Sequence, residues 1–144
     1  MTKDPNKQPP GSNGDLGLPR AKILRGRKNF QRLFERDVRI LRNKHVGLRY
    51  RITNDASFGC LMGFIVKKSL GHAHKRNKMK RLLREAYRLH QHIISDPLKR
   101  TQITLHGALI AQDIDAAFSE VEQDVMALLA RVRDQLPTIS PDHS

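Results

Sequence analysis

The sequence predicts an α+β protein, a two-layer sandwich in which helices pack on one four-stranded sheet. Two repeating patterns of apolar residues support this prediction. Residues 46–53 alternate between apolar and polar side chains, as a strand with one buried face does. Residues 74–94 and the segment after residue 113 repeat apolar side chains every three or four positions, as amphipathic helices do. Together they give the order helix, three strands, helix, strand, helix, within a single domain at residues 20–136.

The two ends of the chain are expected to lie outside this domain. Residues 1–19 are rich in Pro, Gly, Asn and Asp and hold few apolar side chains, so little burial compensates the entropy of ordering them. We expect a disordered N-terminal segment there and a frayed tail at residues 137–144. The residues between them are enough for one small hydrophobic core.

A short helix is predicted at residues 27–36. It places Phe30 and Phe34 one turn apart on the same face. Packing in the core is the ordinary explanation of two such rings. Because several cations flank them, stacking against unpaired bases is an alternative.

The first two strands are predicted at residues 38–41 and 46–53. In the second strand, Arg49 and Arg51 belong to the polar face, and the apolar residues between them face the core. The residues predicted to face the core are Val46, Leu48, Tyr50 and Ile52.

The third strand, at residues 58–66, is apolar on both faces, which favours a central position in the sheet. Gly59 and Gly63 keep one of its faces shallow, so that another backbone or a ligand can approach closely. A short fourth strand is predicted at residues 101–105.

The most distinctive stretch is the helix predicted from about residue 74 to residue 94, ending before Asp96 and Pro97. Glu85 is the one acid between residues 75 and 88, so the positive charge has almost no partner along the helix. An apolar stripe and a basic stripe share this helix: Met79, Leu82, Leu83, Ala86 and Ile93 form the first, and Arg76, Lys80, Arg84 and Arg88 the second. A solvated basic face is the plain explanation, and a face that binds a polyanion is the alternative.

The distribution of charge favours the polyanion. The chain has a formal charge of +13, and residues 20–100 hold 23 Lys and Arg against 5 Asp and Glu. Residues 101–144 are net acidic, with 2 basic and 7 acidic residues. The basic character therefore belongs to the folded middle of the chain, as in a protein whose structured surface meets phosphates.

A last amphipathic helix is predicted to begin at residues 113–115 and to serve as support for the sheet. Acidic residues cluster in its first turns, where the helix dipole favours them. Its inward residues are expected to be Ile114, Phe118, Val121, Val125, Leu128, Leu129 and Val132.

The cysteine content and the apolar runs of the sequence indicate a cellular compartment. The single cysteine, Cys60, excludes an internal disulfide and cannot build a zinc site alone, so a reducing, cytoplasmic location is expected. The chain has neither an apolar run of about 20 residues nor the apolar core of a signal peptide.

Residues for protein-borne catalysis are scarce. Acids in the middle of the chain are spread out, and no nucleotide-binding loop or serine-hydrolase motif is present. His72 and His74 could form a ligand pair or an acid and base pair, but no Asp, Cys or third His is near them in sequence. The sequence predicts no catalytic residue and no metal site, so any catalysis is expected to use another molecule's groups.

Three blocks of sequence now indicate a family. Residues 76–86, Arg-Asn-Lys-Met-Lys-Arg-Leu-Leu-Arg-Glu-Ala, resemble the motif R-N-R-x-K-R-x-x-R-E of the protein subunit of bacterial ribonuclease P. The residues from Gly63 to Gly71 resemble the family's G-x-x-V-S-K-K-x-G at the same distance from that motif. Residues 27–34 resemble its first helix with a phenylalanine pair. The resemblance covers about residues 20–95.

This sequence departs from the family pattern at a few positions. Lys78 replaces the second arginine of the motif, which keeps the charge and loses the bidentate geometry. The family's Ser-Lys-Lys is Lys67-Lys68-Ser69 here, so Lys68 is the better expected ligand contact. The Arg-Pro pair often seen after the family's fourth strand is missing from residues 106–108.

The resemblance implies a fold and a function. The fold would contain a left-handed β-α-β crossover, against the general rule. The function would be that of the protein component of ribonuclease P, an endoribonuclease that removes the 5′ leader of precursor tRNA. The catalytic RNA subunit would carry the chemistry with Mg²⁺, which is bound mainly by that RNA.

The resemblance also implies two sets of contacts. Contacts to the RNA subunit would come from Arg76, Asn77, Lys78, Lys80, Arg81, Arg84 and Lys68. Contacts to the single-stranded leader would come from Phe30 and Phe34, together with Arg49 and Arg51 on the sheet. Stacking of leader bases on the rings would contribute about 1–3 kcal/mol per base.

Two other functions stay open at this point. A ribosomal or general RNA-binding protein would use the same surface and would prefer ribosomal RNA fragments to a leader-bearing precursor. A protein-only endonuclease would depend on His72 and His74.

Overall fold

The computed structural model describes residues 18, 22–35, 37–53 and 59–136. Except for Leu18, the predicted N-terminal segment lies outside the described residues, as do the predicted tail and the break at residues 54–57. The helices and strands are α1 (Arg27–Arg32), β1 (Arg39–Arg42), β2 (Val46–Thr53), β3 (Gly59–Ile65), α2 (Ala73–His90), α3 (His92–Thr101), β4 (Thr104–Ala111) and α4 (Phe118–Gln135).

The four strands form one sheet in the order β1-β2-β4-β3. β2 pairs antiparallel with both β1 and β4, whereas β3 and β4 are parallel neighbours. The chain between β3 and β4 is therefore a β-α-β crossover that contains α2 and α3. The predicted α+β class with a four-stranded sheet is confirmed, and the left hand of the crossover stays a prediction.

The two faces of the sheet are covered unequally. The main core packs α2, α3 and α4 against one face, through residues such as Leu48, Met62 and Leu109. A smaller cluster on the opposite face joins Leu24 and Leu33 to the sheet. α1 therefore lies on the face opposite to the other helices and leaves part of that face open. Ile52, which was predicted to face the core, is 38% exposed, so that prediction was wrong.

The central position predicted for β3 was wrong, because β3 is the edge strand beside β4. Its outer edge is covered at Met62 by the residues that precede α1. Ile23 forms a parallel bridge with Met62, and the N–H of Leu24 donates to the Met62 carbonyl at 3.1 Å. Both faces of β3 are apolar because each face is covered, rather than because strands flank it on both sides.

The long basic helix ends earlier than predicted, and a second helix follows it. α2 buries Met79, Leu83 and Ala86, as its predicted apolar stripe requires. Its axis breaks at Gln91, and α3 then runs through Pro97, where the sequence predicted the end of the helix. Ile94 and Leu98 on α3 are fully buried. Burial of each side chain stabilises the fold by about 1.5–3 kcal/mol, which offsets the cost of a proline inside the helix.

β4 and α4 also differ from their predicted limits. The fourth strand, predicted at residues 101–105, is Thr104–Ala111, and all of its residues are buried. The last helix begins at Phe118 rather than at residue 113. The Asp113 carboxylate accepts hydrogen bonds from the backbone N–H groups of Asp115 and Ala116, which closes a turn before the helix starts.

No described helix is long and apolar enough to span a membrane.

Candidate RNA interface

On the sheet face that α1 covers only in part, an aromatic ring is stacked on an arginine. α1 ends at Arg32, four residues before the predicted end, because the N–H groups of Leu33 and Phe34 bond to carbonyls three residues back. Phe34 thus stands in a turn after the helix, and its side chain is 50% exposed. The guanidinium carbon of Arg49 lies 4.5 Å from the centre of the Phe34 ring, within the range of a cation–π contact.

A cleft of about 250 Å³ opens beside this stacked pair. Its walls come from β1, β2 and the end of β4, and from the connection between β3 and α2. That connection contributes Lys67 and Ser69. The other lining residues include Ile40, Arg42, Leu48, Ile110 and Gln112. The cleft therefore combines apolar surface with cations and an amide, as a site for an unpaired base beside a phosphate would.

The basic face of α2 begins a few residues beyond the cleft. Side chains of the predicted basic stripe are exposed at Lys80 and Arg84, while Arg76 is half-buried. Asn77, Lys78 and Arg81 are exposed as well. These side chains share no ion pair with the described part of the chain, since Glu85 is paired with Arg88 at 2.7 Å. That pairing lowers the pKa of Glu85, because its carboxylate accepts a hydrogen bond from Arg88. Apart from Lys75 and Arg88, the lysines and arginines of α2 have no ion-pair partner among the described residues.

The described residues offer little for chemistry by the protein itself. Among them, no group of three or more His, Cys, Asp or Glu side chains is placed to hold a metal ion. His72 and His74 are exposed at the start of α2. Burial raises the pKa of the Cys60 thiol to about 12, so it stays protonated near neutral pH.

Comparison with known proteins decides the family. The family model described as Ribonuclease P matches residues 18–133. The chain belongs to the ribonuclease P protein family. It is 34% identical over 92 residues to the ribonuclease P protein component of Porphyromonas gingivalis, covering 62% of this chain and 67% of that protein. Its identity to the component of Desulfovibrio desulfuricans is 31% over 132 residues, covering 83% and 89%.

Solved ribonuclease P proteins share the fold. The Staphylococcus aureus protein superposes with a TM-score of 0.63 at 20% identity, covering 77% of this chain and 94% of that one. The Thermotoga maritima protein gives 0.62 at 24% identity, covering 76% and 96%. At this identity the likeness establishes the fold alone.

The structure separates the four residues that the ribonuclease P resemblance assigned to the leader. Phe34 and Arg49 line the cleft together. Phe30 is half-buried in the smaller cluster, with its ring against Gly63, where an added Cβ would come within 2.5 Å of two ring carbons. The sequence predicted that another backbone or a ligand would approach Gly63 closely, whereas the group that approaches it is the side chain of Phe30. Arg51 lies two register pairs beyond Arg49 on β2, opposite His106, and does not line the cleft.

Sequence reasoning missed part of the cleft in this ribonuclease P protein. Ile40, which is 47% exposed, and Gln112 line it, yet neither carries a motif. A signal for Ile40 was present, because it alternates with buried Leu41 on β1. Of the two lysines after β3, Lys67 lines the cleft, whereas Lys68 is exposed at the start of a 3₁₀ turn.

Proposed function

We propose that this chain is the protein component of a ribonuclease P ribonucleoprotein. It binds the catalytic RNA subunit through the basic face of α2 and the single-stranded 5′ leader of precursor tRNA through the cleft. In this way it assists endonucleolytic removal of the leader, the step that matures the 5′ end of tRNA. The cytoplasmic location belongs to the same proposal, as does a single RNA-binding domain at residues 20–136.

The observation that carries the proposal is the direct connection between the two surfaces. Lys67 and Ser69 line the cleft that holds Phe34 and Arg49, and the same connection leads within a few residues into α2. A strand of RNA lying in the cleft would therefore contact the connection that leads into the basic helix. Such an arrangement suits a protein that holds single-stranded RNA next to a structured RNA.

The two surfaces have different tasks. The cations of α2 assigned to the RNA subunit are Arg76, Lys78, Lys80, Arg81 and Arg84, with Asn77 between them and Lys68 before them. They reduce repulsion between phosphates where the RNA subunit folds against the protein, which lowers the concentration of Mg²⁺ needed. In the cleft, the ring stacks on a base while charge follows the backbone.

The chemistry is assigned to the RNA subunit. The described residues provide no cluster of metal ligands, so the catalytic metal ions are assigned to the RNA. Mg²⁺ held by the RNA would activate water and stabilise the leaving oxygen. The protein contributes binding and orientation.

The test is cleavage of a precursor tRNA at low Mg²⁺ by a bacterial ribonuclease P RNA, with and without this chain. The chain alone, freed of RNA, is assayed in parallel. We expect cleavage only when both are present, and tighter binding of the leader-bearing precursor than of mature tRNA. Cleavage by the protein alone would overturn the proposal in favour of His72 and His74. Equal affinity for precursor and mature tRNA, with preference for ribosomal RNA fragments, would indicate a ribosomal or general RNA-binding protein.

A further inference from the structure

Among the described residues, the guanidinium of Arg49 makes one hydrogen bond and one cation–π contact, and both are with the turn that follows α1. Its Nη1 donates a hydrogen bond to the carbonyl oxygen of Leu33 at 3.3 Å. Its guanidinium carbon lies 4.5 Å from the centre of the Phe34 ring. Among the described residues, no carboxylate lies within ion-pair distance of Arg49. A single side chain from the middle of β2 therefore holds both the backbone and the ring of this turn.

The ring lies at the rim of the smaller cluster and on the wall of the cleft. Leu33 is fully buried in the smaller cluster, so the backbone before Phe34 is anchored. Among the described residues, that cluster does not include Phe34, which is 50% exposed. The sheet neighbours of Arg49 are Ile40 and Ala108, one exposed and the other too small to reach far. The guanidinium stacked against the ring is therefore well placed to set its orientation.

We propose that Arg49 is a positioning residue that acts through Phe34, fixing the ring so that its other face can stack on a base of the leader. This inference rests on the proposed function, in which the cleft receives the leader. It replaces the direct contact with the leader that the resemblance implied for Arg49, in which the cation would meet leader phosphates. A planar guanidinium can stack on the ring and donate to the Leu33 carbonyl at once, whereas the ammonium of a lysine has no plane to stack.

The two roles predict different results for a conservative substitution. A phosphate contact needs charge, so Arg49→Lys would keep most of the affinity, and Arg49→Met would lower the salt dependence of binding. Loss of one contact with a single strand reduces the slope of log K against log salt by about 0.7. A positioning residue needs the planar group, so Lys and Met would be equally harmful and the slope would stay unchanged.

The experiment uses the complete ribonucleoprotein assembled with a bacterial ribonuclease P RNA. A series of precursor tRNAs carries one 2-aminopurine each in the leader, because stacking quenches its fluorescence. The protein variants are Arg49→Lys, Arg49→Met, Phe34→Leu and Phe34→Leu combined with each Arg49 change. Arg100→Met, which removes an exposed cation from α3, is the matched control for lost charge. Affinity is measured across salt concentrations, and fluorescence at saturating enzyme.

We expect Arg49→Lys and Arg49→Met each to weaken precursor binding about five- to tenfold, as when part of one stacking contact is lost. Quenching at one leader position should fall although the precursor is fully bound, and the salt slope should match that of the control. In the Phe34→Leu background, either change at Arg49 should alter affinity by less than about twofold. Binding of mature tRNA should not change.

Other results would overturn the inference. Wild-type affinity and quenching in Arg49→Lys, with a lower salt slope in Arg49→Met, would make Arg49 a phosphate contact. Additive losses from Phe34 and Arg49 would show that Arg49 does not act through the ring. If Arg49→Met fails to fold, Arg49→Lys still decides, since it keeps the charge and the aliphatic stem. Failure of the proposed function gives a separate result, because the wild-type protein would then show no preference for the leader and no quenching.

Discussion

The carboxylate of Asp124, on α4, accepts a hydrogen bond from the backbone N–H of His45 at 2.6 Å. The same oxygen accepts one from the N–H of Val46 at 3.2 Å. Both donors lie where the turn after β1 leads into β2. One helix carboxylate therefore fastens this turn of the sheet to the helical layer. The imidazole of His45 adds a second attachment, since its Nδ1 lies 2.8 Å from Asp113 and its Nε2 lies 3.5 Å from Glu120.

Asp124→Ala should destabilise the protein by about 2–3 kcal/mol, because two backbone donors lose an ionised acceptor. The midpoint of urea unfolding measures this change. Asp134→Ala is the control, since that exposed carboxylate on the same helix contacts only its neighbour Arg133 among the described residues. Equal losses of stability in the two variants would contradict the assignment.

Stability should depend on pH through His45. The Asp113 carboxylate accepts a hydrogen bond from the imidazole and raises the pKa of His45 above its usual 6.5; burial opposes this, and Glu120 and Asp124 add to it. A raised pKa in the folded state stabilises the protein below the unfolded pKa, and that stabilisation is lost as pH rises through the folded pKa.

The comparison variant is His45→Gln, which keeps the backbone donor to Asp124. The difference in urea midpoint between wild type and variant should be largest near about pH 5.5 and should shrink by about pH 8. A difference that stays constant over this range would show that the histidine charge adds nothing.

The basic face of α2 should account for much of the salt dependence of binding to the RNA subunit. Lys80→Gln combined with Arg84→Gln should weaken binding and reduce the slope of log K against log salt by about 1.5–2. Lys99→Gln combined with Arg100→Gln removes the same charge from α3 and should leave the slope nearly unchanged. Filter binding or anisotropy across salt concentrations measures both. Equal slopes in the two double variants would show that the salt dependence of binding follows the net charge of the protein and not the basic face of α2.

Gly63→Ala should destabilise the fold by about 1–3 kcal/mol, because the new methyl group would overlap the ring of Phe30. Gly107→Ala is the control on the neighbouring strand, where the nearest atoms are 3.2 Å away at the flexible end of Met62. Thermal unfolding compares the two. A larger loss at Gly107 would contradict the packing of Phe30 on Gly63.

The helices that carry charge could be predicted well from the sequence. The apolar stripe of α2 repeats with the helical period, and Met79, Leu83 and Ala86 are buried as expected. β4 could not be predicted in full, because Thr104–Ala111 includes His106 and Gly107 and lacks alternation. It is buried throughout because strands flank it on both sides and other segments cover both of its faces, which only the tertiary structure reveals.

The position of β3 in the sheet and the residues that line the cleft also could not be predicted from local sequence patterns. Apolar residues on both faces of a strand report that both faces are covered, and they carry no information about which strands pair with it. Alternation placed Arg49 on the polar face of β2, but it could not show that α1 ends early and brings Phe34 over it. Contacts between residues far apart in sequence determine which side chains line the cleft.

The closure of the β3 edge by Ile23 and Leu24 limits how far the chain can be shortened from its N-terminal side. A version beginning at Arg25 would leave an apolar strand with unpaired backbone groups in water, which is a template for aggregation. One that begins at or before Lys22 keeps the edge closed. Solubility therefore sets one limit on the N-terminal boundary of a well-behaved fragment.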